Sequence, residues 1–389
     1  NMGKKQEEEF VQVKCQEYYK LENELRIKFT ELLKKNGFLQ KESCTNEEAF
    51  KRVSLLLDII NRFFVENVPS NYLNNRKDHF DFYKIWKKFN RDIVHIDKQL
   101  RVPNMVKYRD SDGDIRERKD YEVYAFEFDS IEGISRRTLN AYNEFSPIYS
   151  RLAKKEAILG QGIQGEERLY NRLRIIGDKI RIIQNARYVI EDDFSVEHDM
   201  IVISSYGIFS IEIKNWGRNS HINEKGYLVS ENGKTVNVIE QSMRHVHNLE
   251  RLIQKELYHE AKVYPLIVWV NEKSAIKSDF KYVTVCNYND VEFELFNSRK
   301  YKPIYTEKDV DAIYKKLVEL KLPIKKYSLD IDSKSLISSV PKFIAGLKWL
   351  PEMINFERKK KEEKLEPSTL EVITDVLGLV LSVADKFFY

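Results

Sequence analysis

Apolar positions along the chain change their period several times, and each change marks a different kind of element. Over residues 5 to about 100 the spacing is helical. In "TNEEAF", Thr45 and Glu48 have the spacing of a capping box, and Phe50, Val53, Leu57, Ile60 and Phe64 then recur three or four residues apart. An α-rich N-terminal domain over residues 1–159 is expected. Within it the period shortens between 104 and 128, where "NMVKYR" and "YEVYAFEF" flank the polar turn "DSDGD" and predict a β-hairpin, before residues 134–157 return to helix. From residue 166 the order becomes helix, strand, strand, strand, helix, strand, carried by "EERLYNRLRIIG", "IRIIQNARYVI", "DMIVIS", "GIFSIEIK", "EQSMRHVHNLERLIQKEL" and "YPLIVWV". The fold class predicted is therefore α/β, with a core of helix, three-stranded sheet, helix and strand over 160–290, flanked by helical N- and C-terminal regions. The C-terminal extension is expected over 291–366, with the charge run "ERKKKEEK" as a solvated helix face or linker. A terminal amphipathic helix follows over 367–389, opened by a capping box of Ser368 and Glu371. Asp375 and Asp385 interrupt its apolar run, which falls short of the roughly 20 residues a membrane span needs. No membrane partner is expected, and this helix suits docking on the protein or on a partner.

Composition narrows the picture only a little. The chain has 389 residues, enough for two or three domains, and 65 Lys+Arg against 61 Asp+Glu give a net charge of +4. That balance permits a polyanionic partner without requiring one. Cys15, Cys44 and Cys286 are far apart with no metal-ligand spacing, which points to a reducing, cytoplasmic setting and not to a disulfide scaffold. The opening "GKKQEEEF" has no apolar stretch, so no secretion signal is expected.

Candidate chemistry concentrates after residue 160. "GQGIQGEERLYNRL" places Gly160, Gly162 and Gly165 at the spacing of a dinucleotide-binding loop, but such a loop must follow a buried strand. The preceding "YSRLAKKEAIL" is charged and rich in helix formers, so that reading fails. The expected role of the glycine is instead to let the helix that begins at Glu166 approach the sheet, with Glu166 in its first turn, where the helix dipole tolerates a carboxylate.

In "DMIVISSYGIFSIEIK" a tight loop at Ser205, Tyr206 and Gly207 sets Asp199 across from Glu212. Strand alternation adds Lys214 to that face and turns Phe209, Ile211 and Ile213 into the core. Like charges opposite one another in a sheet cost roughly 0.2–1 kcal/mol unless a cation lies between them. Paired carboxylate oxygens suit Mg²⁺ or Mn²⁺. A plain surface pair with Lys214 as its ion partner fits the same pattern.

The ordered set Gly165-Glu166, Asp199, Glu212-Ile213-Lys214, Trp216, Gly217 and Gln241 resembles the nuclease-related domain, NERD, a branch of the PD-(D/E)xK nuclease superfamily. The resemblance covers about 160–290 and implies a PD-(D/E)xK-type core acting as a metal-dependent phosphodiesterase on DNA, with RNA not excluded. It implies that Asp199, Glu212 and the carbonyl of Ile213 bind Mg²⁺ (or Mn²⁺), that Glu166 is a further acidic ligand or orienter, that Lys214 positions or activates the attacking water, and that Gln241 stabilises the site or contacts phosphate. DNA processing or defence against foreign DNA is the implied setting. His198 departs from the family pattern, standing where a proline or apolar residue often precedes the aspartate.

Two rival readings stay open: a nucleic-acid-binding module that keeps the fold without turnover, and an interaction protein whose helical regions serve a homo-oligomer or a protein partner. Other signals are set aside. "DSDGD" lacks the glycine and the glutamate that a calcium loop requires, with Ile115 and Tyr121 in their places. His245 and His247 are two apart on a helix, face different directions and are read as surface or core histidines. "HFDFYKIWKKFNRD" reads as an ordinary amphipathic helix, although Lys84, Lys87, Lys88 and Arg91 form a basic stripe that could track phosphates.

Overall fold

The computed structural model describes residues 4–72, 84–85, 87–88, 104–109, 115–120, 130–191, 194–230, 233, 235–257 and 261–364. "DSDGD", "YEVYAFEF", the terminal segment 367–389 and most of "HFDFYKIWKKFNRD" lie outside them. The chain forms two compact units, one of residues 1–41, 55–153 and 330–389, the other of residues 42–54 and 154–329.

The helices are α1 (Lys4–Lys35), α2 (Asn46–Asn67), α3 (Ile131–Leu173), α4 (Val238–Leu257), α5 (Val291–Leu295), α6 (Glu307–Leu320) and α7 (Ser333–Lys364). The short strands β1 (Glu42–Cys44), β2 (Asn104–Arg109) and β3 (Ile115–Asp120) come first, and β4 (Ile180–Glu191), β5 (Phe194–Ser204) and β6 (Gly207–Lys214) follow. Next are β7 (Ser220–Ile222), β8 (Tyr227–Ser230), β9 (Thr235–Asn237), β10 (Val263–Trp269), β11 (Ile276–Ser278), β12 (Thr284–Asn287) and β13 (Tyr327–Leu329).

In the second unit a five-stranded sheet runs in the order β12-β10-β6-β5-β4, with β4, β5 and β6 antiparallel and β6, β10 and β12 parallel. Helices cover both faces. Leu169 and Leu173 of α3 pack on Met200, Val202, Phe209 and Ile211. Val246, Leu249 and Ile253 of α4 pack with Val310, Ile313 and Leu317 of α6 on Ile183, Ile201, Ile203 and Ile208. Burial on both faces is why the central strand reads as a nearly unbroken apolar run, and why a polar residue within it stands out. A smaller sheet, β11-β7-β8-β9, takes β7, β8 and β9 from the segment between β6 and α4 and β11 from beyond β10, with β7 and β8 an antiparallel hairpin. Strand β1 pairs antiparallel with β13. The capping box forms as predicted: Glu48 Oε2 accepts from Thr45 N–H at 2.9 Å, and Thr45 Oγ1 accepts from Glu48 N–H at 3.2 Å.

The first unit is built on helix pairing. Trp349 of α7 donates from Nε1 to the Lys14 carbonyl of α1 at 2.7 Å, and Phe10 stacks on Phe356 at 4.8 Å between centroids. Buried Glu22 receives a two-pronged pair of hydrogen bonds from Arg137, both 2.8 Å, so its charge is partnered. The hairpin predicted near 104–128 exists, but its second strand is "IRERKD" at 115–120. The ladder starts immediately after the turn, so the nearest segment pairs although it is the more polar one.

The second correction concerns α3. The helix runs unbroken through Gly160, Gly162 and Gly165, so Glu166 lies near its C-terminal end and not in a first turn. Two of the glycines have packing reasons: a Cβ at Gly165 would meet Asn215 Cβ and Val270 Cγ2, both at 3.0 Å, and one at Gly160 would meet the Phe50 ring at 2.9 Å. Close approach was predicted correctly for Gly165; the dipole argument for Glu166 was not. Among the described residues no helix is long and apolar enough to cross a membrane.

Candidate metal and phosphodiester site

Strands β5 and β6 pair from Ser204↔Gly207 to Met200↔Ile211, and there the ladder ends. Beyond it β6 stays with β10 as far as Lys214↔Trp269, whereas β5 stays with β4, pairing Ala186↔His198 and onward. The sheet forks at Asp199. The predicted register holds up to the fork, but Asp199 and Glu212 are not a ladder pair. Asp199 Oδ2 instead accepts the backbone N–H of Ile213 at 2.8 Å, a side chain taking the place of the missing strand-to-strand bond.

The strand opposite contributes its own irregularity. Asn185 has φ 46°, the only non-glycine positive φ among the described residues, and lies between the pairs Gln184↔Met200 and Ala186↔His198, level with Asp199. Its left-handed turn shifts the alternation, so that Ile183 and Ala186, three apart, serve the same core. Asparagine tolerates that conformation better than most residues. Its side chain lies beside Glu166 and favours that carboxylate.

Glu212 is 3% exposed, a carboxylate inside the central strand. Lys214 Nζ donates to its Oε1 at 2.6 Å. Its Oε2 is buried with no hydrogen-bond partner, and His245 Nδ1 stands 3.6 Å away, beyond hydrogen-bond range. A buried acceptor left unpaired costs about 1–3 kcal/mol, more when charged. Burial, then the neighbouring Glu212, holds the Asp199 carboxyl well above the ordinary carboxylate range. Burial likewise raises Glu166, opposed by the Asn185 side chain and reinforced by Glu167 and Glu212. Three carboxylates thus gather at one fork, and burial together with neighbouring carboxylates disfavours the anions of Asp199 and Glu166.

Two histidines to which the sequence reading gave no part in the site are built into this region. His245, read as a surface or core histidine, is buried on α4 beside Glu212, and its ring centroid is 5.0 Å from that of His198. His198 is buried, with Nδ1 3.2 Å from Ser210 Oγ. Burial, then His245, lowers its pKa to about 3, so the ring is neutral at pH 7. Nothing in the local sequence marks these contacts; the facing of α4 against β6 creates them. Gln241 stands one turn before His245 on α4, partly buried, and no hydrogen bond joins it to the carboxylates among the described residues.

The elements in order are one helix, three antiparallel strands, a helix, and a strand parallel to the third, with a small sheet inserted. Residues 161–270 match the family model of the nuclease-related domain, NERD. NERD belongs to the PD-(D/E)xK-like nuclease superfamily, and the matched segment runs from inside α3 to β10, with Glu166, Asp199, Glu212, Lys214 and Gln241 within it. No curated protein and no solved structure matches the chain significantly.

A divalent ion is what the NERD family implies for this segment. Among the described residues no group of three or more His, Cys, Asp or Glu side chains is arranged to hold a metal. Mg²⁺ does not need one, because it binds through one or two carboxylates and keeps several waters. Glu212 Oε2, without a hydrogen-bond partner, and the raised Asp199 carboxyl beside it are hard oxygen donors, and on that chemistry the residues fit.

Proposed function

We propose that the NERD segment hydrolyses phosphodiester bonds of nucleic acid, DNA in the first instance, with Mg²⁺ or Mn²⁺ held by Asp199, Glu212 and the Ile213 carbonyl and with Glu166 as a further acidic group. The observation that carries this reading is Glu212: a buried carboxylate with one oxygen on Lys214, the other without a donor, and two more carboxyl groups close by. The divalent ion, when bound, polarises the phosphoryl group and lowers the pKa of water from ~15.7 toward ~7. This chain's residues do the rest. Asp199 is fixed by the Ile213 amide, so its second oxygen has a defined direction. Glu212 anchors the Lys214 ammonium, which orients the attacking water and meets the negative charge that grows on the phosphoryl oxygens. Asn185 steadies Glu166, and Gln241 is assigned a phosphate contact. A cytoplasmic enzyme of DNA processing or defence against foreign DNA is the setting that follows from this reading.

The test separates turnover from binding. Lys214→Ala and Lys214→Met should leave substrate affinity nearly intact while cutting metal-dependent cleavage by at least about a hundredfold, because the interaction is felt in the transition state. Lys214→Arg should rescue poorly, since a planar fork does not replace a compact ammonium. Cleavage equal to wild type would remove Lys214 from the chemistry. If wild type shows no metal-dependent product and Lys214→Ala only weakens binding with a shallower salt dependence, the domain is a binding module.

A further inference from the structure

A cleft of about 510 Å³ opens at the fork, with Asp199, Glu166 and Asn185 in its wall. That volume lies in the range of small-ligand pockets and is too small for a duplex. Its lining is unusual for a protein that handles a polyanion. Glu47, Glu166, Glu167, Glu197 and Asp199 line it, and among the described residues no lysine or arginine does. No protein cation lines the cleft to track a phosphate backbone through it, so a phosphate meets a cation only where Asp199 and Glu166 would hold the divalent ion. The rest of the lining includes the apolar Ile158, Leu159, Ile163 and Ile324, the amides of Asn46 and Gln184, the Thr45 hydroxyl and the His198 ring.

Two conformational costs are also placed in this wall. Gly162 sits inside α3, where glycine costs about 1 kcal/mol relative to alanine, yet a Cβ there would meet nothing within 4 Å. Unlike Gly160 and Gly165, it serves no packing contact; what its missing side chain leaves is room in the cleft. Asn185 holds its left-handed backbone at the same wall.

We propose that this cleft receives the base of a single-stranded or extruded nucleotide, so that the phosphodiester beside that base reaches the carboxylates; the inference rests on the phosphodiesterase reading above. Aliphatic side chains cover the apolar face of a base, carboxylates accept from exocyclic amino groups as they do from cytosine, and side-chain amides pair with base edges. The sugar-phosphate chain stays outside the acidic walls. A base paired within a duplex is not available to such a pocket, so duplex is the poorer substrate.

The experiment uses the full chain and 5′-fluorescein oligonucleotides, DNA and RNA, each as a single strand, as a duplex, and as a strand carrying abasic sites throughout. Binding is read by anisotropy in EDTA and in Ca²⁺, and cleavage in Mn²⁺. Wild type should bind the single strand at least about tenfold more tightly than the duplex, and abasic sites should weaken binding by about tenfold or more, the order expected for losing base contacts. Gly162→Leu, which fills the cleft while adding a better helix former, should melt no lower than wild type and lose discrimination between normal and abasic strands. Duplex bound as tightly as single strand, or full abasic discrimination retained in Gly162→Leu, overturns the inference. The two readings fail separately: base-dependent binding without metal-dependent cleavage defeats the phosphodiesterase reading, and duplex cleavage without base dependence defeats only the cleft.

Discussion

Single residues in the NERD segment are held in states that water would not give them. His198 is the clearest for stability. Its folded pKa lies near 3 and its ordinary value is 6.5, so the folded ring stays neutral across an interval in which the unfolded ring takes up a proton. The unfolded state therefore binds more protons between these values, and stability falls as pH drops below about 6.5, with no penalty above it. The slope approaches about 1.4 kcal/mol per pH unit. Urea unfolding of wild type and His198→Gln at pH 7.5 and pH 5 should show wild type more stable at the higher pH and the gap narrowing or reversing at the lower. A gap that does not change with pH would mean that His198 is not buried neutral. The Asp199–Glu212 relation was legible because strand alternation and a tight loop set the register. The break at the fork was not, since it depends on where β5 leaves β6 for β4.

At the scale of elements, α3 shows how far local rules reach. Three glycines in six residues predict a helix boundary, each being unfavourable by about 1 kcal/mol. The helix continues because the sheet, α2 and the core beneath repay that cost through contacts no neighbouring residue reveals. Space at each glycine should set the sign of a substitution. Gly162→Ala is expected to stabilise by about 0.5–1 kcal/mol, as nothing obstructs it. Gly165→Leu should destabilise by about 1–3 kcal/mol through overpacking against Asn215 and Val270. In α7, a Cβ at Gly346 would fall 2.0 Å from Thr138 Oγ1, so Gly346→Ala should cost about 2 kcal/mol or more. Urea midpoints that do not place Gly162→Ala above wild type and the other two variants below it would show that helix propensity, not space, governs these positions.

For the whole molecule, α1 and α7, far apart in sequence, belong to one unit. Helix α7 supplies Trp349 to α1 and Phe343 to a buried aromatic group with Phe64 and Phe145. Truncation after Leu329 keeps β13 and the NERD segment but removes α7. Calorimetry should then show loss of the transition belonging to the first unit, with the NERD unit still melting cooperatively. Retention of both transitions would show that α1–α3 can bury their apolar faces unaided.

Periodicity alone determined the helix-strand-strand-strand-helix-strand order, the capping box at Thr45 and the β5–β6 register as far as Met200↔Ile211, because each depends on residues close in sequence or on a repeat imposed by backbone geometry. Only the tertiary structure decided that Glu42–Cys44 pairs with Tyr327–Leu329, that α7 returns to α1, that His245 faces Glu212 and that Asn185 stands level with Asp199. These contacts join residues far apart in the chain. Their stability comes from shared burial and from filling backbone bonds that a forked sheet leaves open, and neither leaves a period in the sequence.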